Sequence, residues 1–234
     1  LVPVFALWQF LVACGSDDES PRGTNTGGIG GTGGTTLSGD ALTIDKAIAG
    51  EISAEQAFDQ IALSDGFPIE VDGGFLFARL DDGGGAYELA GDFNAWSPQP
   101  MSTAPGFYYA IVNVSAPDGA KYKLVRGGEF APDPYARRYA YDELGEISLV
   151  RAGAPHLERF PKVAGASVPA RSVRVWVPGS SATHHLYVHD GQNLFDPQGP
   201  FGGWHLNDAV GSSTLVVGID NGGALRIDEY THVP

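Results

Sequence analysis

Residues 187–197 read "YVHDGQNLFDP". Aromatic and β-branched side chains lead into Asp190 and Gly191, and a polar run follows. That is the pattern of a buried strand breaking into a tight turn, where backbone groups can be aimed at a reacting centre. A hydrolytic turn of this kind needs a nucleophile to serve. Serine nucleophiles of this sort sit on a G-x-S-x-G elbow between a strand and a helix. Ser167 lies in "GASVP", Ser181 in "GSSAT" and Ser213 in "GSSTL"; none has the second glycine, and none follows a suitable strand. The histidines are no substitute. His185 and His189 share one face of a strand with only Asp190 near, which is a poor metal set. They read as structural or surface histidines, and no metal or organic cofactor is implied.

The elements that must hold this turn follow a recognisable order. "SVRVWVPG" (172–179) is an alternating strand ended by Pro-Gly, and "HHLYVHDGQ" is a second strand. "FGGWHLNDAVG" reads as a helix with Trp204, Leu206, Ala209 and Val210 apolar and Gly211 as its stop. "STLVVGID" is almost wholly apolar, as a strand covered on both faces should be. Strand, strand, helix, buried strand is the opening of an α/β sheet.

Upstream the pattern differs. From residue 67, "GFLFARL", "AYELAGDF", "GFYYAIVNV", "AKYKLVRG" and "EISLVR" are short β-rich runs separated by Gly, Asp and Pro clusters, the signature of a β-sandwich. Residues 39–66 form a short helical segment. Ser53 and Gln56 make an S-x-x-Q capping box, and Ala57, Phe58, Ile61 and Ala62 give one apolar face. Thr43 reads as the cap of a preceding helical turn. This segment is a small docking hairpin with no chemistry of its own.

The first residues, "LVPVFALWQFLVAC", carry no charge and fall short of the ~20 apolar residues that span a bilayer. They suit the apolar core of a secretion signal whose basic start is missing. A buried core helix is the other reading, but the polar tract "GSDDESPRGTNTGGIGGTGGTT" follows at once. Residues 15–38 are a flexible Gly/Thr/Ser tether. Leu1 is not a start methionine and "EYTHVP" ends abruptly, so fragments are expected at both ends. The net charge is −14, with 11 acidic and 2 basic side chains in residues 15–72 alone. An acidic chain repels phosphate backbones, which argues against a nucleic-acid partner.

Three resemblances sharpen this reading. "LVAC" resembles the bacterial lipobox, and Cys14 is the only cysteine, so it cannot form an internal disulfide. The resemblance implies cleavage before Cys14 and diacylglycerol on its sulfur. Two or three acyl chains then anchor the protein stably to a membrane. Gly15 follows with no retention aspartate, which favours the outer membrane of the cell envelope.

"GDFNAWSP" (91–98), "YKLVRGGEFAPDPYA" (122–136) and "GEISLV" resemble the glycogen-binding type of carbohydrate module, which occurs ahead of branching enzymes and of some esterases. The resemblance implies an immunoglobulin-like sandwich over 67–150 and a possible α-glucan partner. Trp96 would be the first stacking platform and Phe130 the second, where glycan-binding members carry tryptophan. Lys123 would be the rim donor. The asparagine expected near the last strand has no counterpart in "GEISLVR", so a structural spacer is the other reading.

"VRVWVPG", "LYVHDGQNLFD" and "VVGIDNGG…R…EY", in that order, resemble the esterase branch of the α/β-hydrolases that includes enterochelin, feruloyl and acetyl-xylan esterases. The resemblance implies that 151–234 is the N-terminal part of an α/β-hydrolase sheet, giving a multi-domain chain. Carboxylic esters would be cleaved through an acyl-serine. Gln192 would supply an oxyanion-hole N–H, worth about 3–4 kcal/mol. Gly191 would allow close backbone approach and tolerate the unusual φ of the turn. The elbow, the acid and the histidine would lie beyond Pro234, which leaves "TLVVGI" as an open apolar edge. Arg226 and Glu229, in "ALRIDEY", match a segment lining the pocket mouth; a local surface ion pair is the alternative. Substrates would be carbohydrate-linked acyl esters or siderophore esters. A surface glycan-binding lipoprotein with an inert hydrolase-like half is the competing function. A glycoside hydrolase needs paired carboxylates on a barrel, and "YVHDGQNLFDP" is the wrong strand motif for that.

Overall fold

The computed structural model describes residues 37, 39–165, 169–227 and 231. Cys14, the expected signal, the expected tether up to residue 36, Ser167 and Glu229 lie outside the described residues. Two helices open the described chain, α1 (Gly39–Ile48) and α2 (Ala54–Leu63). The strands up to residue 150 are β1 (Ile69–Val71), β2 (Gly74–Leu80), β3 (Glu88–Gly91), β4 (Gln99–Pro100), β5 (Ser102–Ala104), β6 (Phe107–Val112), β7 (Lys121–Arg126), β8 (Glu129–Ala131), β9 (Arg138–Asp142) and β10 (Gly145–Leu149). Then come β11 (His156–Val163), β12 (Arg171–Val177), β13 (His184–His189), a short helix α3 (Leu206–Ala209) and β14 (Thr214–Ile219). The protein is mostly β-sheet with few helices.

The α2 cap forms as its sequence dictates. Gln56 N donates to Ser53 Oγ, and Ser53 N donates to Gln56 Oε1, both at 3.1 Å. Two orphan donors of the helix start are thereby satisfied. Thr43 is not a cap. It lies inside α1, where its hydroxyl donates back to Gly39 O at 3.2 Å. The apolar face of α2 rests on one side of a four-stranded antiparallel sheet, ordered β1-β2-β6-β5. Phe58 is the centre of this contact, with ring centroids 4.8 Å from Phe67, 5.0 Å from Tyr135 and 5.8 Å from Phe107. Arg137, buried in the larger sheet, ties the end of α2 down by donating to the carbonyls of Ala62, Ser64, Asp65 and Arg159. The carbonyls of Ala62, Ser64 and Asp65 lie at the open end of α2, where the guanidinium stands in for water, and Arg159 O links it to β11.

The other side of the four-stranded sheet faces a ten-stranded one. Phe75, Phe77 and Tyr108 meet Leu89, Tyr122 and Leu124 in a common core. The larger sheet runs β13-β14-β12-β11-β9-β10-β7-β3-β4, with β8 on β7. It continues unbroken across residue 150, because β11 pairs with both β9 (Leu157↔Tyr139) and β12 (His156↔Val177).

β13 and β14 form the one parallel pair among the described strands, with His184↔Thr214 at one end and His189↔Ile219 at the other. The chain crosses between them through residues 190–213. That crossover holds less helix than its sequence predicts: α3 is a single turn, and Trp204 lies outside it with 52% of its surface exposed. The edge also differs. β14 sits inside, bonded to β12 and β13, so "TLVVGI" is not open. The open edge is β13, where Leu186 and Tyr187 are 38% and 52% exposed.

Candidate active site

The parallel ladder brings two carboxyl ends to one place. Ligands of open α/β sheets bind outside such ends, where neighbouring strands connect differently. After β13, Asp190 takes the left-handed conformation (φ 58°, ψ 45°), and Gly191–Asn193 make a 3-10 turn. Aspartate adopts this region more readily than most side chains because it can bond locally. So the strained residue is Asp190, not Gly191, contrary to the sequence reading. Gly191 is needed for space instead. A Cβ there would stand 2.6 Å from the Gly218 carbonyl carbon and 2.8 Å from Asp220 Oδ1. Gly218 returns the contact, since its own Cβ would stand 2.6 Å from Leu194 Cδ1 and 3.0 Å from Gly191 Cα. Two glycines on facing backbones thus let the turn close onto β14.

Side chains then clamp it. Asn221, just past β14, donates from its backbone N to Gln192 Oε1 at 3.2 Å and from Nδ2 to Asp190 Oδ1 at 2.6 Å. Arg226 grips both oxygens of Asp190, Nε to Oδ1 at 3.0 Å and Nη2 to Oδ2 at 2.7 Å. Leu194 and Phe195 anchor the next residues in a cluster with Tyr139, Leu157 and Val216. Among the described residues, no acceptor takes the Gln192 backbone N–H. The N–H groups of Asp190 and Gly191 likewise meet none, so the turn presents its donors on a backbone held by Asn221, Arg226 and the Leu194–Phe195 cluster.

The hydrogen bonds from Arg226 and then Asn221 hold the Asp190 carboxyl down to about 2. An ordinary aspartate titrates near 3.9. A depressed folded value means that the clamp contributes fully above the ordinary value and is lost as pH falls toward about 2. In a carboxyl ¹³C titration, Asp190 should titrate near 2 in the parent and return toward the ordinary value in Arg226→Gln. An ordinary titration in the parent would show that the clamp does not form in solution.

A buried ion network backs the turn. Asp220 pairs with Arg174 (Nε to Oδ1 3.0 Å, to Oδ2 3.2 Å), and Arg174 reaches Glu146 at 3.4 Å. Glu146 also accepts from Arg159 at 2.8 Å, and Arg159 donates to Asp133 O at 3.1 Å. Asp133 is fully buried and accepts from Tyr122 Oη at 2.9 Å. Sequence reading found none of these partners. The only hint was Arg174, a charge in the middle of the apolar run "VRVWV".

The expected glycan residues fall on the far end of the larger sheet. Lys123 lies on β7 opposite Ala90 of β3, and Phe130 on β8 opposite Val125, so Lys123 and Phe130 share a face. Phe130 is 45% exposed, whereas Lys123 is 8% exposed. Trp96 follows β3 in a left-handed conformation (φ 61°), its Nε1 donating to Asp92 Oδ1 at 2.9 Å. Arg226 stands at the turn as described, and its proposed companion Glu229 lies outside the described residues. Among the described residues, no three His, Cys, Asp or Glu side chains converge as metal ligands, and no helix is long and apolar enough to cross a membrane.

No protein-family model matches the chain, and no curated protein matches it. Among solved structures, it is similar to the enterobactin esterase from Shigella flexneri, crystallised in the presence of 2,3-dihydroxy-N-benzoyl-serine. The identity is 14% and the TM-score 0.29, over 62% of this chain and 51% of that one. A structure of enterochelin esterase from Shigella flexneri gives 13% and 0.28 over the same shares, 62% and 51%. The chain thus spans about half the length of these esterases.

Proposed function

We propose that the turn at Gln192 is the oxyanion side of a serine-type carboxylic-ester hydrolase site. One observation carries this reading: a backbone N–H with no partner among the described residues, at the carboxyl end of a parallel strand, on a turn fixed by Asn221, Arg226 and the Gly191–Gly218 contact. Ester hydrolysis passes through a tetrahedral oxyanion, and a donor fixed in advance stabilises it without reorganising during the reaction. In α/β-hydrolases such a donor comes from the loop after the third strand. Counted from β11, β13 is third. In this reading β11 to β14 open the hydrolase sheet, and the two facing sheets upstream are an immunoglobulin-like module. The nucleophile, acid and histidine belong to residues past Pro234, and the ester is a carbohydrate-linked acyl group or a siderophore.

The donor is tested by comparing a variant that loses the N–H with one that keeps it, both lacking the Asn221 bond to the Gln192 side chain. In the reading frame carried past Pro234, Gln192→Pro should lower kcat for a p-nitrophenyl ester about 10²–10³-fold, as loss of one oxyanion donor does elsewhere. Gln192→Ala loses the same Asn221 bond but keeps the N–H, so it should lose much less than Gln192→Pro. Equal rates for the two variants would sink the assignment.

We also propose that the chain is held at the cell envelope by acyl chains on Cys14, which rests on "LVAC" and the tether behind it. Expressed in a bacterium with a complete signal, the parent should partition into detergent, and Cys14→Ser should not. Identical partitioning would remove the anchor.

A further inference from the structure

The Gln192 turn leans on strands that lie upstream of residue 150. β9 and β10 form a hairpin, with Gly145↔Asp142 beside its loop and Leu149↔Arg138 at its far end. The register places Tyr139, Tyr141 and Glu146 of this hairpin on one face of the larger sheet, together with Arg159 of β11, Arg174 of β12 and Gly218 of β14. The crossover closes onto that face, because a Cβ on Gly218 would meet Leu194 there.

Two contacts tie the crossover to the hairpin. Tyr139 shares a buried cluster with Leu194 and Phe195. Gln198 Nε2 donates to Glu143 O, in the hairpin loop, at 3.3 Å. A third contact is electrostatic and reaches the turn itself. Arg159 and Arg174 stand directly opposite each other on neighbouring strands. Two cations so placed repel. Glu146 bridges them, its Oε1 accepting from Arg159 at 2.8 Å and its Oε2 from Arg174 at 3.4 Å. Arg174 thus has Nη1 on Glu146 and Nε on both oxygens of Asp220, at 3.0 and 3.2 Å. A planar guanidinium held on two edges keeps one orientation. Asp220 Oδ1 occupies the space beside Gly191, 2.8 Å from where a Cβ would stand. Asn221, the next residue, bonds Gln192 and Asp190.

The strand order β12-β11-β9-β10 puts Glu146 and Arg174 three strand spacings apart, about 14 Å. Two extended side chains meeting end to end span that gap. Glu146, Arg174 and Asp220 are all largely buried, so water screens their contacts little.

We propose that Glu146 is a positioning residue for the Gln192 turn. Through Arg174 it fixes the Asp220 carboxylate against Gly191, and it makes the β9–β10 hairpin part of the scaffold of the site. The upstream sheets are then no detachable spacer. The proposal rests on the esterase reading only where turnover is measured.

The first measurement needs no turnover. Asn221 Nδ2 donates to Asp190 Oδ1 at 2.6 Å, so its amide protons exchange slowly with water while the turn holds. In ¹⁵N spectra of the 234-residue chain, Glu146→Leu should speed that exchange about tenfold, the equivalent of one weakened hydrogen bond. Glu146→Gln keeps an acceptor but not the charge. It should shift the exchange in the same direction, and it decides if the leucine variant does not fold. Ile44→Ala opens a hole in the separate core under α1 and costs stability without touching Glu146 or its partners. It should leave the exchange at the parent rate. The second measurement uses the reading frame carried past Pro234. There Glu146→Gln should lower kcat for a p-nitrophenyl ester about tenfold, with KM little changed. If that parent shows no turnover while the exchange responds as expected, the ester-hydrolase reading falls and the positioning role stands. Unchanged exchange in both Glu146 variants, an equal rise in Ile44→Ala, or a Glu146→Gln kcat equal to that of a working parent would overturn the proposal.

Discussion

Arg174→Met should lower the unfolding free energy by about 3–5 kcal/mol, the usual cost of leaving a buried carboxylate without its cation. Arg174 is the shared partner of Asp220 and Glu146, and the three side chains are only 14%, 16% and 17% exposed. Glu146 keeps Arg159 when Arg174 is removed, but among the described residues Asp220 has no other cation at ion-pair distance. Burial already pushes the Asp220 carboxyl above its ordinary value, with Arg174 pulling it back. A raised folded value means that the folded state holds the Asp220 proton more tightly. Its charge therefore weakens folding as pH rises past the ordinary carboxylate value, and Arg174 offsets that loss. Asp220→Asn should accordingly cost clearly less than Arg174→Met, because it removes the penalised charge along with the bond. The network is no sign of net stabilisation, since an apolar set of the same volume can do as well. Its cost shows only when one member is taken away. Urea denaturation of the two variants decides the matter, and equal losses, or an Arg174→Met loss within ~0.5 kcal/mol of zero, would count against it. The same variant should loosen the turn, because Asp220 Oδ1 stands where a Gly191 side chain would have to go.

What the sequence made legible was local. The Ser53–Gln56 box, the amphipathic face around Phe58 and the short β-rich runs such as "GFLFARL" are each set by residues a few positions apart, and they form as read. Tertiary pairing was not legible. β11 was missed because "HLERFPKV" carries three charges and a proline, which argue against a strand. The structure accommodates Pro161 at an irregularity between Phe160 and Val163, and it buries Arg159 by giving it Glu146 and the Asp133 carbonyl. Those partners lie 13 and 26 residues away, so no local pattern announces them. The open edge was misplaced for a related reason. An apolar run says that a strand is covered on both faces, which holds for Val216 and Val217. It does not say which neighbours the strand has, and the parallel crossover puts the later strand β14 inside and the earlier strand β13 outside. At the turn, "DG" gave the location and the close backbone approach at Gly191, but the left-handed angle falls on Asp190 and not on the glycine.

The 234-residue chain mixed with a p-nitrophenyl ester should show no burst of nitrophenolate beyond the uncatalysed rate. A burst reports an acyl-serine that forms faster than it breaks down. Forming it needs a serine beside a base, and the described serines are otherwise engaged or remote in pattern. Ser172 Oγ donates to Pro161 O at 3.2 Å, Ser180 Oγ donates to Ser212 O at 2.8 Å, and no G-x-S-x-G occurs anywhere in the sequence. Losing nucleophile and base costs about 10⁶-fold in a comparable triad, while an intact oxyanion hole with its binding site retains only about 10³–10⁴ over water. On the proposed reading the turn at Gln192 supplies only half of such a hole, so even that remnant of activity should be reduced. Chymotrypsin in the same cuvette gives the positive control for burst amplitude. The decisive measurement is the amplitude against chain concentration, repeated after treatment with a serine-directed fluorophosphonate. A stoichiometric burst that the fluorophosphonate abolishes would place the nucleophile inside this chain, and the Gln192 turn would then have to be re-read as serving a serine already present.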